Sequence, residues 1–291
     1  RLVGSEMCIR DRLQGDTLWI GSLNGLYTYQ LKSRQLNHFD SKQTGLPHNT
    51  IYSIIHTKDN QIYIGTYNGL CRYVQASGKF ENILLPVNRG GSNLFVNSLL
   101  EDTTRQCIWI GMEGYLFQYN PTTGEMKAIE VFHNNSIKSL ALDGDENLLA
   151  GTDNGLYVYQ NDKEPLQHII HDSRNIQSLT NNIIWNIFAD QEQNIWLGTD
   201  YGISLSRYNS ALQFIPISQI TGTGDGNQFY SLFRDSKGFY WFGGTNGVIR
   251  FTHPAGNKHD AIWYRMGDKD HPLSHNRIRH IYDCLLYTSD A

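Results

Sequence analysis

The chain has 291 residues, of which 40% are hydrophobic and 18% are charged, a composition typical of a folded globular protein and not of a disordered one. Its formal net charge is −4, and no stripe of Lys and Arg stands out, which argues against a nucleic-acid-binding surface. No Cys-x-x-Cys pair and no metal-ligand spacing of histidines occurs, so the sequence predicts neither a metal site nor a cofactor.

The two ends of the chain match none of its other segments. Residues 2–12 (LVGSEMCIRDR) and 284–291 (CLLYTSDA) are, over most of their length, translations of the two complementary strands of one DNA sequence, which resembles the transposase end used in sequencing libraries. We therefore expect residues 1–12 and 284–291 to be derived from an adapter, and residues 13–283 to be a native fragment with unknown termini. A missing signal peptide then says nothing about location.

Between these ends, one nine-residue pattern recurs six times. Its copies are LWIGSLNGL, IYIGTYNGL, IWIGMEGYL, LLAGTDNGL, IWLGTDYGI and YWFGGTNGV. Their first glycines lie 40 to 47 residues apart, at Gly21, Gly65, Gly111, Gly151, Gly198 and Gly243. A fixed period of this length indicates a solenoid, a propeller or an array.

Each period contains the signals of four short strands. Two apolar or β-branched runs flank an Asn-Gly or similar pair, which predicts a β-hairpin. A further run, such as TIYSIIHTKD or IIWNIFAD, precedes the hairpin, and a fourth, such as GKFENILL, follows it. Four antiparallel strands per period without helical spacing of apolar residues predict an all-β fold, the β-propeller, with four-stranded blades.

We expect about six blades, present as an incomplete ring of a seven-bladed type. No strand is predicted before Leu18 in the first blade, and LSHNRIRHIYD (residues 273–283) is expected to open a seventh blade. Because the repeat is unbroken, residues 13–283 are predicted to form one propeller domain.

The repeats can be aligned with one another. In the predicted first strand, one column is apolar in every blade, and the column two residues later is mostly small and polar. The column between them varies in chemistry and contains Tyr52, Asn97, Lys138, Trp185, Tyr230 and Arg279. Core packing does not accept Lys or Arg where it also accepts Trp. This column therefore either varies neutrally in a wet channel mouth or lines a binding site at the propeller axis.

The loop before the first strand and the turn after the second strand are expected to lie on one face of the blades. The turns contribute Tyr67, Glu113, Asp153, Asp200, Tyr201 and Thr245, and the loops contribute His48 and several amides, Gln228 among them. Amides, carboxylates and aromatic rings that converge on a concave face suit a polyhydroxylated ligand. The candidate ligand-binding residues are Tyr52, Asn97, Lys138, Trp185, Tyr230, Arg279, Tyr67, Asp153, Asp200 and Tyr201.

Two longer segments, LPHNTIYSIIHTKDNQIYIGTYNGLCRY and LTNNIIWNIFADQEQNIWLGTDYGISLSRY, resemble the propeller repeats of hybrid two-component sensors from polysaccharide-degrading bacteria. The resemblance implies two seven-bladed propellers outside the inner membrane, then a β-sandwich, one membrane span, a histidine kinase core, and receiver and helix-turn-helix modules. It also implies that the ligands are glycan fragments. The repeat motif defines blades only, so no binding residue follows from it, and the copies GMEGYL and LLAGTD depart from the pattern.

The leading interpretation is a periplasmic sensor propeller without catalysis of its own. It is expected to bind an oligosaccharide or another small polar ligand and no nucleic acid, and to belong to a homodimer anchored in the membrane by other parts of the protein. One alternative is a propeller lyase or glycosidase, for which Asp153 and Asp200 are the candidate carboxylate pair. Another is a protein-interaction scaffold of the WD type, whose Gly-His and Trp-Asp dipeptides the repeats lack.

Overall fold

The computed structural model describes residues 10–87, 94–129, 135–160, 163–208, 214–216, 227–252 and 261–281. These residues form strands, turns and loops but no helix, so the all-β prediction is confirmed. Accordingly, the described part of the chain contains no helix that could cross a membrane.

The strands form six sheets, each built from consecutive strands, which are the predicted blades. Blade 1 contains β1 (Arg10–Gln14), β2 (Thr17–Ser22), β3 (Gly25–Gln30) and β4 (Leu36–Phe39). Blade 2 contains β5 (Ile51–His56), β6 (Ile62–Thr66), β7 (Gly69–Val74) and β8 (Lys79–Ile83). Blade 3 contains β9 (Val96–Asp102), β10 (Cys107–Met112), β11 (Leu116–Tyr119) and β12 (Met126–Ile129).

The second half of the chain repeats this order. Blade 4 contains β13 (Ile137–Leu142), β14 (Leu148–Thr152), β15 (Gly155–Gln160) and β16 (Lys163–Ile169). Blade 5 contains β17 (Ile184–Ala189), β18 (Ile195–Thr199), β19 (Gly202–Ser206) and β20 (Phe214–Pro216). Blade 6 contains β21 (Phe229–Arg234), β22 (Tyr240–Gly244), β23 (Gly247–Phe251) and β24 (Ile262–Met266), and a fifth strand, β25 (Pro272–Leu273), pairs in parallel with β24.

The chain divides into two compact units, Arg1–Leu140 (unit 1) and Ala141–Ala291 (unit 2). In unit 1, β5 contacts both β1 and β9, and in unit 2, β17 contacts β21. Blades 1, 2 and 3, and blades 5 and 6, therefore meet along their first strands, and in blades 4 and 5 the second strand β14 contacts the first strand β17. β5 and β9 are largely buried, whereas β4 at the opposite edge of blade 1 is exposed.

The contact between neighbouring blades explains the repeated first glycine of the nine-residue pattern. A Cβ atom added to Gly111 would lie 2.6 Å from Ile137 Cγ2, and one added to Gly151 would lie 2.7 Å from Ile184 Cγ2. Both distances are too short for a real Cβ contact, so only glycine lets the first strand of the next blade approach. The apolar column of the first strand is thus a packing column, as predicted.

The small polar column also joins neighbouring blades. Ser53 Oγ donates a hydrogen bond to the carbonyl oxygen of Val96 at 3.1 Å, and Ser98 Oγ accepts one from the backbone N–H of Leu140 at 3.1 Å. In blades 3, 5 and 6, the Asp at the end of the first strand accepts a bond from the indole N–H of the second strand, as Asp190 does from Trp196 at 2.8 Å. In blade 4 the indole is lost, because Leu149 replaces the Trp.

Two expectations about the ends of the repeat need correction. The first blade does possess a first strand, because Arg10–Gln14 pairs antiparallel with Thr17–Gly21. Strand pairing uses backbone groups, which residues outside the repeat also supply. In the described part of the expected seventh blade, Arg277–Ile281 forms no strand. Most of the segments interpreted as adapter-derived, residues 1–9 and 284–291, lie outside the described residues.

Candidate functional site

The turn after the second strand is tied to the loop that leads into the next blade. Gly69, Gly155 and Gly202 have positive φ angles of 118°, 97° and 92°, which glycine adopts without strain. Their backbone N–H groups donate to the carbonyl oxygens of Leu94, Asn182 and Asn227, respectively, at 2.7 to 2.9 Å. Within each unit, turns and leading loops therefore lie on one face, as predicted.

The variable column of the first strand lies at β-bulges. In blade 2, Ile51 lies opposite Thr66 and Ser53 lies opposite Gly65, so that Tyr52 is the extra residue between them. The same shift in register leaves Asn97, Trp185 and Tyr230 as the extra residues of blades 3, 5 and 6. A bulge re-aims a side chain without ending the strand. In these four blades, the position of the first strand that varies in sequence is therefore also the position of the β-bulge.

In unit 2, two bulge residues belong to one hydrogen-bonded network. Trp185 Nε1 donates to Asp200 Oδ1 at 3.0 Å, and Gln228 Nε2 donates to the same oxygen at 2.6 Å. The hydroxyl of Tyr230 donates to Gln228 Oε1 at 2.5 Å. The rings of Trp185 and Tyr230 meet edge to face at 5.3 Å. These contacts hold both rings in place, and no described residue donates a hydrogen bond to the second oxygen of Asp200.

Two arginines adjoin this network. The guanidinium carbon of Arg279 lies 4.5 Å from the ring centroid of Tyr230, and that of Arg277 lies 5.8 Å from it. Burial and the nearby Arg277 charge lower the pKa of Arg279, while Tyr230 opposes this shift. Neither arginine forms an ion pair with a described carboxylate.

In unit 1, the corresponding positions form an aromatic cluster. Tyr67 contacts Tyr52 at 6.4 Å, Phe95 at 4.4 Å and His48 at 4.8 Å, measured between ring centroids. Burial and the neighbouring Tyr67 raise the pKa of Tyr52. Asn97 is placed differently, because its side-chain N–H groups bond to Ser136 Oγ and to the carbonyl oxygen of Ile137 at 3.3 and 3.1 Å.

The two clusters use the same three kinds of position. These are the bulge residue, the turn residue directly after the second strand, and the residue directly before the first strand of the next blade, which we call the pre-strand residue. They are Tyr52, Tyr67 and Phe95 in unit 1 and Trp185, Asp200 and Gln228 in unit 2. Sequence reasoning did not select the pre-strand residues as candidates. Their signal is that they also vary from blade to blade, as Thr50, Phe95, Ser136, Ile183, Gln228 and Arg277.

The remaining candidates join neither cluster through the contacts described above. Tyr201 lies in the turn of blade 5 with 55% of its surface exposed. Asp153 is exposed in the turn of blade 4, and Lys138 is half-buried in β13. Their roles in ligand binding stay predictions. In the described part of the chain, no group of three or more His, Cys, Asp or Glu side chains is arranged to hold a metal ion.

Comparison with known proteins identifies the repeat. Residues 45–68, 178–201 and 223–246 match the family described as Two component regulator propeller. No curated protein matches the chain in sequence. Two crystal structures from B. thetaiotaomicron are similar to it over 95% and 94% of its length, with 80% and 82% identity and a TM-score of 0.67 each. They are described as the extracellular domains of a one component system and of a hybrid two component system, respectively.

The chain spans 37% of the length of each of these two structures. A virginiamycin B lyase from Staphylococcus aureus is similar over 94% of this chain and 92% of its own, with 12% identity and a TM-score of 0.65. At that identity the likeness concerns the propeller fold alone, and it carries no information about catalysis by this chain.

Proposed function

We propose that the chain, three of whose repeats match the two component regulator propeller family, is a fragment of the extracytoplasmic sensor of a hybrid two-component system and that it recognises glycan fragments. The observation that carries the proposal is the set of bulge residues. They vary among otherwise repeating blades, and bulges aim their side chains out of the regular ladder. Side chains that served only to maintain the blade would repeat with it.

The chemistry of the unit 2 network suits a polyhydroxylated ligand. The half-buried Trp185 supplies a ring face, Asp200 supplies a carboxylate oxygen that can accept from a hydroxyl, and Arg279 supplies N–H donors. Tyr230 is buried, with 6% of its surface exposed, and supports Trp185 and Gln228. Sugars present both donors and acceptors around an apolar ring face, so each of these groups has a partner on such a ligand.

In the complete protein, the signal is proposed to cross the membrane from a periplasmic homodimer. A ligand moves a conformational equilibrium only if it binds one state more tightly than the other. The proposal therefore requires that saccharide binding favour one arrangement of the dimer, which then sets the kinase output and transcription.

The test is calorimetric titration of the purified chain with a panel of short oligosaccharides. Replacing Trp185 and Tyr230 by Ala is expected to weaken binding at least about tenfold, since ring stacking contributes roughly 1–3 kcal/mol per base in nucleic-acid complexes. Tyr208→Ala is the matched control, because Tyr208 is an exposed aromatic residue of unit 2 outside the network. Equal affinity of the double variant and the wild type would contradict the proposal.

The same samples test the enzyme alternative. Asp200 is the member of the proposed carboxylate pair that lies in the network, where Trp185 and Gln228 bond to it. Chromatography of the oligosaccharides after prolonged incubation is expected to recover them intact. Shortened or unsaturated products that disappear with Asp200→Asn would replace the sensor interpretation with a catalytic one.

A further inference from the structure

The aromatic cluster of unit 1 contains Phe95, which the sequence did not single out, and His48, which it placed on the face of turns and loops but not among the ten candidate ligand-binding residues. Its four rings are all half-buried, and each lies within 6.4 Å of at least one other member, measured between centroids. They come from the leading loop of blade 2, the bulge and turn of blade 2, and the pre-strand position of blade 3. The cluster therefore lies on the face where turns and leading loops meet.

The cluster is not a requirement of the blade. The turn position of Tyr67 is occupied by Asp153, Asp200 and Thr245 in blades 4, 5 and 6. The pre-strand position of Phe95 is occupied elsewhere by Thr50 and Ser136. Blades form equally well with small polar or acidic side chains at these positions, so packing does not account for rings at both in blades 2 and 3.

A hydrogen bond within its own loop determines the tautomer of the neutral His48 ring. The backbone N–H of Thr50 donates to His48 Nδ1 at 3.0 Å, so the neutral ring carries its proton on Nε2. No described residue bonds to Nε2, which is thus a donor beside the ring of Tyr67. In blade 5, Asn181 Oδ1 accepts the equivalent bond from the N–H of Ile183 at 2.8 Å. The loop therefore needs an acceptor at this position but not an imidazole.

The four side chains of the cluster offer a ligand aromatic surface and no formal charge. None of its four side chains is charged when His48 is neutral, and the shift in the pKa of Tyr52 is caused by burial and Tyr67 rather than by a charged group. These four side chains therefore offer no ion pair to a ligand carboxylate or sulfate. Aromatic faces bind the apolar C–H face of a sugar ring without needing charge.

We propose that His48, Tyr52, Tyr67 and Phe95 form a saccharide subsite that stacks an uncharged pyranose ring, with His48 Nε2–H donating to one of its hydroxyl oxygens. The inference rests on the proposed function in taking the ligand to be a saccharide. Beyond the proposed function, the inference adds a binding site in unit 1 and states that the sugar ring bound at that site is uncharged.

The experiment is calorimetric titration with short neutral hexopyranose oligosaccharides that differ in linkage, alongside uronic-acid oligosaccharides. Tyr67→Ala is expected to weaken binding of the best neutral oligosaccharide at least about tenfold, whereas Tyr67→Phe retains the ring and stays within about twofold. His48→Asn keeps the loop bond, as Asn181 does, but removes the ring and the Nε2 donor. It is expected to weaken binding about fivefold, the effect of one lost hydrogen bond.

A second readout does not depend on affinity. The ¹⁵N resonances of the His48 ring, assigned by their loss in His48→Asn, are expected to shift when the neutral oligosaccharide is added. This measurement keeps the proposal testable even if Tyr67→Ala fails to fold.

The outcomes separate the subsite from the sensor function. One outcome is that an oligosaccharide binds and Trp185→Ala weakens its binding, while the unit 1 variants bind it like wild type and the His48 resonances do not shift. The proposed subsite would then be wrong, and the sensor proposal would stand. Binding of the uronic-acid oligosaccharides alone would also overturn the subsite. If no oligosaccharide binds, the sensor proposal fails and the subsite fails with it.

Discussion

At the residue scale, the single carboxylate of Asp190 accepts hydrogen bonds from three side chains of two neighbouring blades. It is 7% exposed, and its Oδ2 accepts hydrogen bonds from Trp196 Nε1, Tyr240 OH and Asn194 Nδ2 at 2.8, 3.0 and 3.0 Å. Burial and the Asp190 carboxylate together raise the pKa of Tyr240. The equivalent residue of blade 4, Asp143, has the Asn147 amide but neither an indole nor a phenol among its donors.

Replacing the two aspartates by alanine is therefore expected to have unequal effects. Asp190→Ala leaves the buried indole N–H of Trp196 without its acceptor and leaves the Tyr240 hydroxyl only its longer bond to Glu192 at 3.2 Å, so it should lower the free energy of unfolding by about 3 kcal/mol. Asp143→Ala should cost about 1 kcal/mol, because its remaining donors are reachable by water. Urea unfolding of both variants measures the difference. Similar losses would mean that the indole and phenol bonds contribute little to stability.

The contribution of Asp102 to the stability of the fold depends on pH. Burial alone would raise the pKa of this fully buried carboxyl, but hydrogen bonds from Trp109 Nε1 and from the backbone and side chain of Arg105 outweigh burial and lower it. A lowered pKa in the folded state means that the unfolded state binds the proton more readily. The group therefore stabilises the fold above its ordinary value of 3.8, and this contribution is lost as pH falls through that value toward the lowered pKa.

Asp102→Asn tests this linkage. At pH 7 the variant should be less stable than wild type, and the gap in unfolding free energy should narrow between pH 5 and about pH 3, where the wild-type carboxylate begins to lose its advantage. Unfolding curves at several pH values provide the measurement, with Asp59→Asn as an exposed control near the same kind of turn. A gap that stays constant down to pH 3 would argue against the lowered pKa.

At the scale of elements, the contact between neighbouring first strands depends on the repeated glycine. Gly111 has no positive φ angle, so alanine is acceptable to its backbone, and the obstacle is the Ile137 side chain. Gly111→Ala should therefore lower the unfolding free energy by about 1–3 kcal/mol through overpacking.

Ile137→Ala removes the obstructing methyl group and tests that cause. Alone it should cost about 2–5 kcal/mol through the cavity that it leaves. In the double variant the new methyl group at position 111 occupies part of that space, so the loss should fall short of the sum of the single losses by at least about 1 kcal/mol. Strict additivity would show that the glycine is needed for another reason.

At the scale of the whole molecule, the repeat period predicted the features that every blade shares and few of the features that differ between blades. The six blades, the packing columns and the common face of turns and loops follow from local patterns repeated along the chain, because each blade solves the same packing problem. The pairing of Arg10–Gln14 did not follow, since backbone pairing leaves no side-chain pattern. The roles of Phe95 and Gln228 did not follow either, because they arise where a turn meets the following blade, and neither side chain repeats.

The same reasoning predicts how distant substitutions combine. Gly111 lies in unit 1 and contacts Ile137, whereas Asp190 lies in unit 2 and bonds to Asn194, Trp196 and Tyr240, so the two sites share no partner. In a repeat protein, stability is nearly a sum of blade terms and nearest-neighbour terms. The losses from Gly111→Ala and Asp190→Ala should therefore add to within about 0.5 kcal/mol in the double variant. Urea unfolding of the four proteins tests this, and a deviation above about 1 kcal/mol would mean that strain at one blade contact reaches the other unit.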